Sequence, residues 1–227
     1  MKNYWHLFFR PAAFWEQNKE IRSKWAMFFL LLNAGFTIVG FYGVILTLGL
    51  GFVLYGYMKL GDISESSFFI IPLCFLLLFL IGTLIAFIAS YIVGFFTKTV
   101  SKLIGGKVHM LQAHRKAYLF GMLTYLPTNI ILLIVAILST VNFLQNPEQV
   151  YVEQDFTFSK ILIVIWLILN IVTSIWSLVV WSISIGKAEE MSAWKGLLGI
   201  IVMAIGLWII LMVAIFILSI AVIPFFS

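Results

Sequence analysis

Few residues in this 227-residue chain are of a type that does chemistry, and their spacing argues against most of what they could do. His109 and His114 are five apart, whereas two imidazoles share one helical face at a spacing of four, and no carboxylate lies between them. A metal site on this pair is not expected. Gly105-Gly106-Lys107 lacks the full pattern of a phosphate-binding loop and follows no strand, so nucleotide binding is not expected either. Cys74 is the single cysteine and sits inside an apolar run, which excludes an intrachain disulfide and a cysteine-ligated metal. No serine nucleophile motif with a partner base is present, and Glu16, Glu20, Glu189 and Glu190 accompany the histidines in no recognisable arrangement. The expectation is a protein that is not an enzyme, takes no cofactor and binds no nucleic acid.

The remaining polar residues are neutral and lie inside apolar runs. Asn170, Thr173, Ser174, Ser177 and Ser184 recur at helical spacing, with Trp181 on the same stripe. Small and hydroxyl-bearing side chains let membrane helices approach and hydrogen-bond, for about 0.6 kcal/mol per contact and up to about 1–2. The same stripe could instead line a cavity, and Asn33 carries the same two readings. Pro127, in the run Tyr125-Leu126-Pro127-Thr128-Asn129, cannot donate a backbone hydrogen bond and clashes with the carbonyl of Leu123. A kink is predicted there, with Thr124, Thr128 or Asn129 as partners for the freed backbone groups. Such a kink is either a static packing device or the hinge of a moving helix.

The elements that must position these residues follow from composition. The chain is 63% hydrophobic and 10% charged, with a mean hydropathy of +1.12, far from a soluble domain. Apolar runs exceed the roughly 20 residues that cross about 30 Å of hydrocarbon. Cuts at charged and turn-forming clusters give an all-α bundle of five spans, at about 25–57, 68–96, 117–141, 161–185 and 194–225. The first holds Gly35, Gly40, Gly43, Gly49, Gly51 and Gly56, so it could also be bent or broken, or support a homo-oligomer through close helix contact. No span contains a carboxylate, and the one charged side chain within these bounds is Lys195 at the edge of span five, which argues against ion-coupled transport through membrane carboxylates and against an intramembrane aspartyl protease.

Orientation follows from the basic residues, which cells retain on the cytoplasmic side of short loops. Twelve of the fourteen precede span one or lie between spans two and three or four and five. Only Lys59 and Lys160 fall on the other side, beside Asp62, Glu65, Glu148, Glu153 and Asp155. The N-terminus is therefore expected in the cytoplasm and the C-terminus outside. Residues 1–24 form a separate element, in which Phe8, Phe9, Phe14, Trp15 and Ile21 alternate with Arg10, Glu16, Lys19, Glu20 and Arg22, and Pro11 suits a first helical position. A helix lying in the headgroup layer is predicted, followed by the five-span domain at 25–227. Lys98, Lys102, Lys107, Arg115 and Lys116 form the largest basic loop, facing anionic headgroups or a cytoplasmic partner, at about 1 kcal/mol of lipid attraction per residue.

Three blocks in order resemble the bacterial branch of the Yip1 domain family. They are RPAAFWEQNKEIRSKW before span one, GGKVHMLQAHRKAYLFGMLTYLP leading into the proline-bearing span three, and WSLVVWSISIGKAEEMSAWKGLL joining spans four and five. The resemblance implies a five-span helical bundle without enzymatic activity. Eukaryotic relatives contact small GTPases and carry an Asp-Leu-Tyr-Gly-Pro signature, which this chain lacks, so that role does not transfer. Some bacterial members act beside ABC-type export systems. The expectation is an accessory or organising component of a bacterial cytoplasmic-membrane assembly, such as an ABC-type export or envelope-defence system, with ABC transporter subunits as partners. The alternative is an autonomous channel, transporter or lipid-handling protein working through the polar face of span four and the kink in span three.

Overall fold

A computed structural model describes residues 4–19, 26–38, 70–108, 110–134 and 156–222. These residues form helices throughout: α1 (His6–Phe9), α2 (Pro11–Asn18), α3 (Ala26–Ile38), α4 (Ile70–Leu103), α5 (Leu111–Leu123), α6 (Leu126–Ile134), α7 (Phe156–Ala188) and α8 (Ala193–Val222). No strand occurs among them. Pro11 opens α2, where its missing N–H is harmless because a first-turn amide has no partner within the helix.

Segments Leu76–Leu103, Val164–Ala188 and Ala193–Ile217 are long and apolar enough to cross a membrane. The bent pair α5–α6 makes a fourth if it is one span. In the expected first span only α3 is described, and residues 39–57 lie outside the described residues, so the described helices give three to four spans against the five expected. The second expected span ends at 96, yet α4 continues to Leu103 and carries Lys98 and Lys102 on its last two turns.

α5 is the middle of the bundle. It packs against α4 on one side and α7 on the other, while α8 lies along α7 and α4, and α2 closes on α7. The core gathers there, around Leu119, Phe120, Leu123, Val180 and Ile185, all fully buried. The outward faces of the long helices are the reverse. Leu80 and Leu84 on α4, Ile171 and Ile175 on α7, and Trp208 and Phe216 on α8 are all more than half exposed. Continuous exposure of this kind is costly in water and neutral in hydrocarbon. The chain is accordingly an integral, multi-pass membrane protein in contact with the lipid bilayer.

Apolar burial does not drive helices together inside lipid, so close packing and hydrogen bonds must do so. Gly35 supplies one such contact. A Cβ at this position would lie 2.5 Å from the backbone nitrogen of Thr83, so α3 and α4 cross backbone to backbone at a point that any side chain would force apart. This glycine of the first run therefore packs within the chain.

The N-terminal helices also turn inward. Phe14 and Trp15 are buried and meet the ring of Phe120 edge-on, at centroid distances of 5.0 and 5.7 Å. Much of the apolar face that the sequence assigns to the headgroup layer thus covers α5, leaving Trp5 and Phe9 as its large exposed side chains.

Candidate functional site

Two polar nodes lie inside this bundle, one at the break in span three and one at its basic end. α5 and α6 meet at Thr124-Tyr125 with a bend of 44°. Proline forbids the amide that would have bonded the Leu123 carbonyl, and the neighbouring amides shorten their reach, Thr124 to Gly121 and Tyr125 to Met122, each at 3.2 Å. The three carbonyls at the break also accept from side chains. Leu123 O accepts from the Tyr4 hydroxyl at 3.3 Å, Met122 O from Asn33 Nδ2 at 2.8 Å, and Gly121 O from Ser177 Oγ at 2.9 Å and Thr124 Oγ1 at 2.7 Å. The break is thereby tied to the N-terminus, α3 and α7 at once.

Of the three donors expected from the sequence, Thr124 serves this role. Thr128 and Asn129 instead face other helices. Thr128 Oγ1 lies 3.0 Å from Thr173 Oγ1, and Asn129 Nδ2 donates to Thr37 Oγ1 at 2.9 Å and Asn33 Oδ1 at 3.2 Å. Pro127 itself is exposed. On the span-four stripe, Ser174 Oγ accepts from the Tyr125 hydroxyl at 2.8 Å and donates to the carbonyl of Asn170, while the Asn170 side chain is half-buried. Trp181 is buried edge-on against Tyr118 at 5.4 Å. The structure brings Asn33, Asn129, Ser174 and Ser177 around one break, and Asn170 stands one turn beyond.

The second node joins two side chains the sequence leaves unconnected. His114 on α5 and Glu189 after α7 are both fully buried, with Nε2 and Oε1 2.5 Å apart. Two mirrored helix ends create the enclosure. At the end of α4, Gly105 adopts a left-handed φ of 93° and the Gly106 amide reaches back to Ser101 O at 2.8 Å. At the end of α7, Glu190 adopts φ 55° and the Met191 amide reaches back to Gly186 O, also at 2.8 Å. Both are Schellman caps, the first with the glycine that such a position favours and the second without it.

The Glu189 side chain drops into the first cap. Its Oε2 accepts from the Val108 amide at 3.1 Å, and its main-chain oxygen accepts from the Lys107 amide at 3.1 Å. Gly106 is required by this contact, because a Cβ there would lie 2.5 Å from Oε2. A carboxylate removed from water costs several kcal/mol unless paired and hydrogen-bonded, and here the imidazole and one amide do both. Glu190 points outward, 3.6 Å from Lys107 Nζ; both side chains are well exposed, so that pair contributes little.

His114 carried a periodicity signal, since Ala117, Tyr118 and Gly121 follow it at spacings of three, four and seven and are buried on the same face. Glu189 carried none. Among the described residues, no group of three potential metal ligands occurs, and the pair acts as a cross-tie between α5, α7 and the loop after α4. His109 lies outside the described residues.

The five basic residues divide. Lys102 and Lys107 are exposed and Lys98 is half-buried. Lys116 Nζ donates to the carbonyl of Lys19 at 2.7 Å, closing the end of α2. Arg115 lies flat on Tyr91, 3.3 Å from the ring centroid, with Nε 3.4 Å from Ser90 Oγ. Arg115 lies outside the expected spans, yet its guanidinium reaches alongside residues of span two.

No curated protein and no solved structure matches the chain. The family model for the Yip1 domain matches residues 5–222. That range runs from the docked N-terminal helices, through the glycine loop that encloses Glu189 and the broken third span, to the last turn of α8, and the chain belongs to the Yip1 domain family.

Proposed function

We propose that this protein is a non-enzymatic organising component of a bacterial cytoplasmic-membrane assembly, such as an ABC-type export or envelope-defence system, and that its basic end is the docking face. In this reading the chain has five spans, with the N-terminus in the cytoplasm and the C-terminus outside. Residues 1–24 form the interfacial element and 25–227 the membrane domain.

One observation carries the reading. Beside the closed node at Glu189, large apolar side chains point outward: Leu103 is 80% exposed, Trp194 79% and Met110 63%, among exposed Lys102, Lys107 and Lys195. An apolar set framed by cations, on turns stiffened by two helix caps, is the composition of a binding surface. The polar residues of spans three and four support the same reading. Thr173, Ser174 and Ser177 are engaged in bonds to α5, α6 and the turn between them, which suits helix packing and leaves less of the stripe for a conduit.

Affinity purification from native membranes in mild detergent tests this. Stoichiometric recovery of ABC-type export subunits, lost on Trp194→Ala and Leu103→Ser, is the expected outcome. Repeated recovery of the chain alone, as a monomer or homo-oligomer, overturns it in favour of an autonomous channel, transporter or lipid-handling protein.

A further inference from the structure

The side of α4 that receives Arg115 changes character along its length. Phe87, Tyr91, Lys98 and Lys102 fall on one side, being separated by four, seven and four residues. Phe87 and Tyr91 are 43% and 40% exposed, and this half of α4 presents an apolar, aromatic surface to lipid. Two turns further towards the helix end the same side carries Lys98 and then Lys102. Arg115 reaches across from α5 to Tyr91, beyond which Phe95, 57% exposed, carries the aromatic surface one turn further to the edge of Lys98.

Its guanidinium is held in a fixed plane there. It stacks on Tyr91 at 3.3 Å, stands 5.8 Å from Phe87, and has Nε against Ser90. Gly94 makes room for the crossing, since a Cβ would meet Arg115 Cγ at 2.7 Å. Among the described residues no carboxylate meets Arg115 or Lys98; Glu16, Glu189 and Glu190 pair with Lys19, His114 and Lys107. With one face stacked and Nε occupied, the two Nη groups remain as a planar fork, the geometry that suits phosphate oxygens. Tyr91 and Lys98 are about 10 Å apart along the helix, a gap that an arginine and a lysine can close on one anion.

We propose that Arg115 and Lys98 hold the phosphate of an anionic glycerophospholipid from the leaflet on the basic side, with an acyl chain lying along Phe87 and Tyr91. The proposal rests on the orientation proposed above and deepens the role of the basic residues. A lipid phosphate fits better than free phosphate because the site opens onto exposed aromatic surface, where a soluble ion would be poorly hydrated.

The test uses the full chain in nanodiscs of phosphatidylcholine doped with phosphatidylglycerol, extracted into mild detergent and read by native mass spectrometry for retained lipid. Wild type retains phosphatidylglycerol over phosphatidylcholine, and Arg115→Gln and Lys98→Gln each lower that retention about fivefold. Lys187→Gln, which removes an equal charge from the end of α7, leaves it unchanged, and excess inorganic phosphate does not displace the lipid. Lys98→Gln touches no described hydrogen bond, so it remains informative if the arginine variant fails to fold. Equal retention in wild type and Lys98→Gln overturns the proposal, as does an equal loss in Lys187→Gln or displacement by inorganic phosphate. No partner protein enters the measurement, so its result is separate from that of the affinity purification.

Discussion

Removing the imidazole of His114 leaves the Glu189 carboxylate buried without its closest partner. Breaking a buried pair from one side costs about 3–5 kcal/mol, whereas replacing both partners by apolar groups of similar size is often close to neutral. His114→Ala is therefore expected to lower the unfolding midpoint in detergent strongly, and the pair His114→Leu with Glu189→Met to recover most of the loss. Tryptophan fluorescence during thermal unfolding reads both. An unchanged midpoint in His114→Ala, or additive losses in the double variant, would remove the pair from the structural account. His114 belonged to a legible helical face, but its partner lies 75 residues away. No local pattern marks a carboxylate destined for a glycine-capped turn, and for that reason the sequence left these residues unconnected.

At the scale of elements, the proline break is legible and its repair is not. A proline in an apolar run predicts an unpaired carbonyl four residues earlier, and Leu123 O is that carbonyl. Which donor reaches it depends on where the N-terminal helices dock, and Tyr4 does so from 119 residues away. Burial pushes the Tyr4 phenol up to about 12, since the phenolate is poorly solvated there. Raising the folded value above the ordinary value of about 10 means that the contribution is complete below that pH and disappears towards about 12. The N-terminal strap is expected to loosen in that alkaline window, read as increased protease cleavage near residues 4–19. Tyr4→Phe should show the loosening at neutral pH and lose the alkaline step. A step of the same size in Tyr4→Phe would assign it to another group.

At the scale of the molecule, the five-span reading has a direct check in a chain with one cysteine. After Cys74→Ser, single cysteines are introduced at Lys59, Glu148 and Ser227 on the expected outer side and at Lys107 and Lys187 on the basic side. A membrane-impermeant maleimide is expected to label the first three in intact cells and the last two only after permeabilisation. Labelling of Ser227→Cys only after permeabilisation would place both termini together and change the span count to an even number.

The sequence by itself determined the solvent: long runs without ionisable residues must form helices in hydrocarbon, because only a helix satisfies its own backbone there. It also predicted the break at Pro127 and the clustering of basic residues near span ends. Both are local consequences, one of a missing amide and the other of composition near span ends. The tertiary structure alone decided which polar groups meet. Asn33 and Asn129, Ser177 and Gly121, and His114 and Glu189 are separated by 96, 56 and 75 residues. Their pairing depends on which faces of which helices come together, and in lipid that choice rests on a few close glycine crossings and hydrogen bonds rather than on an amphipathic stripe readable along the chain.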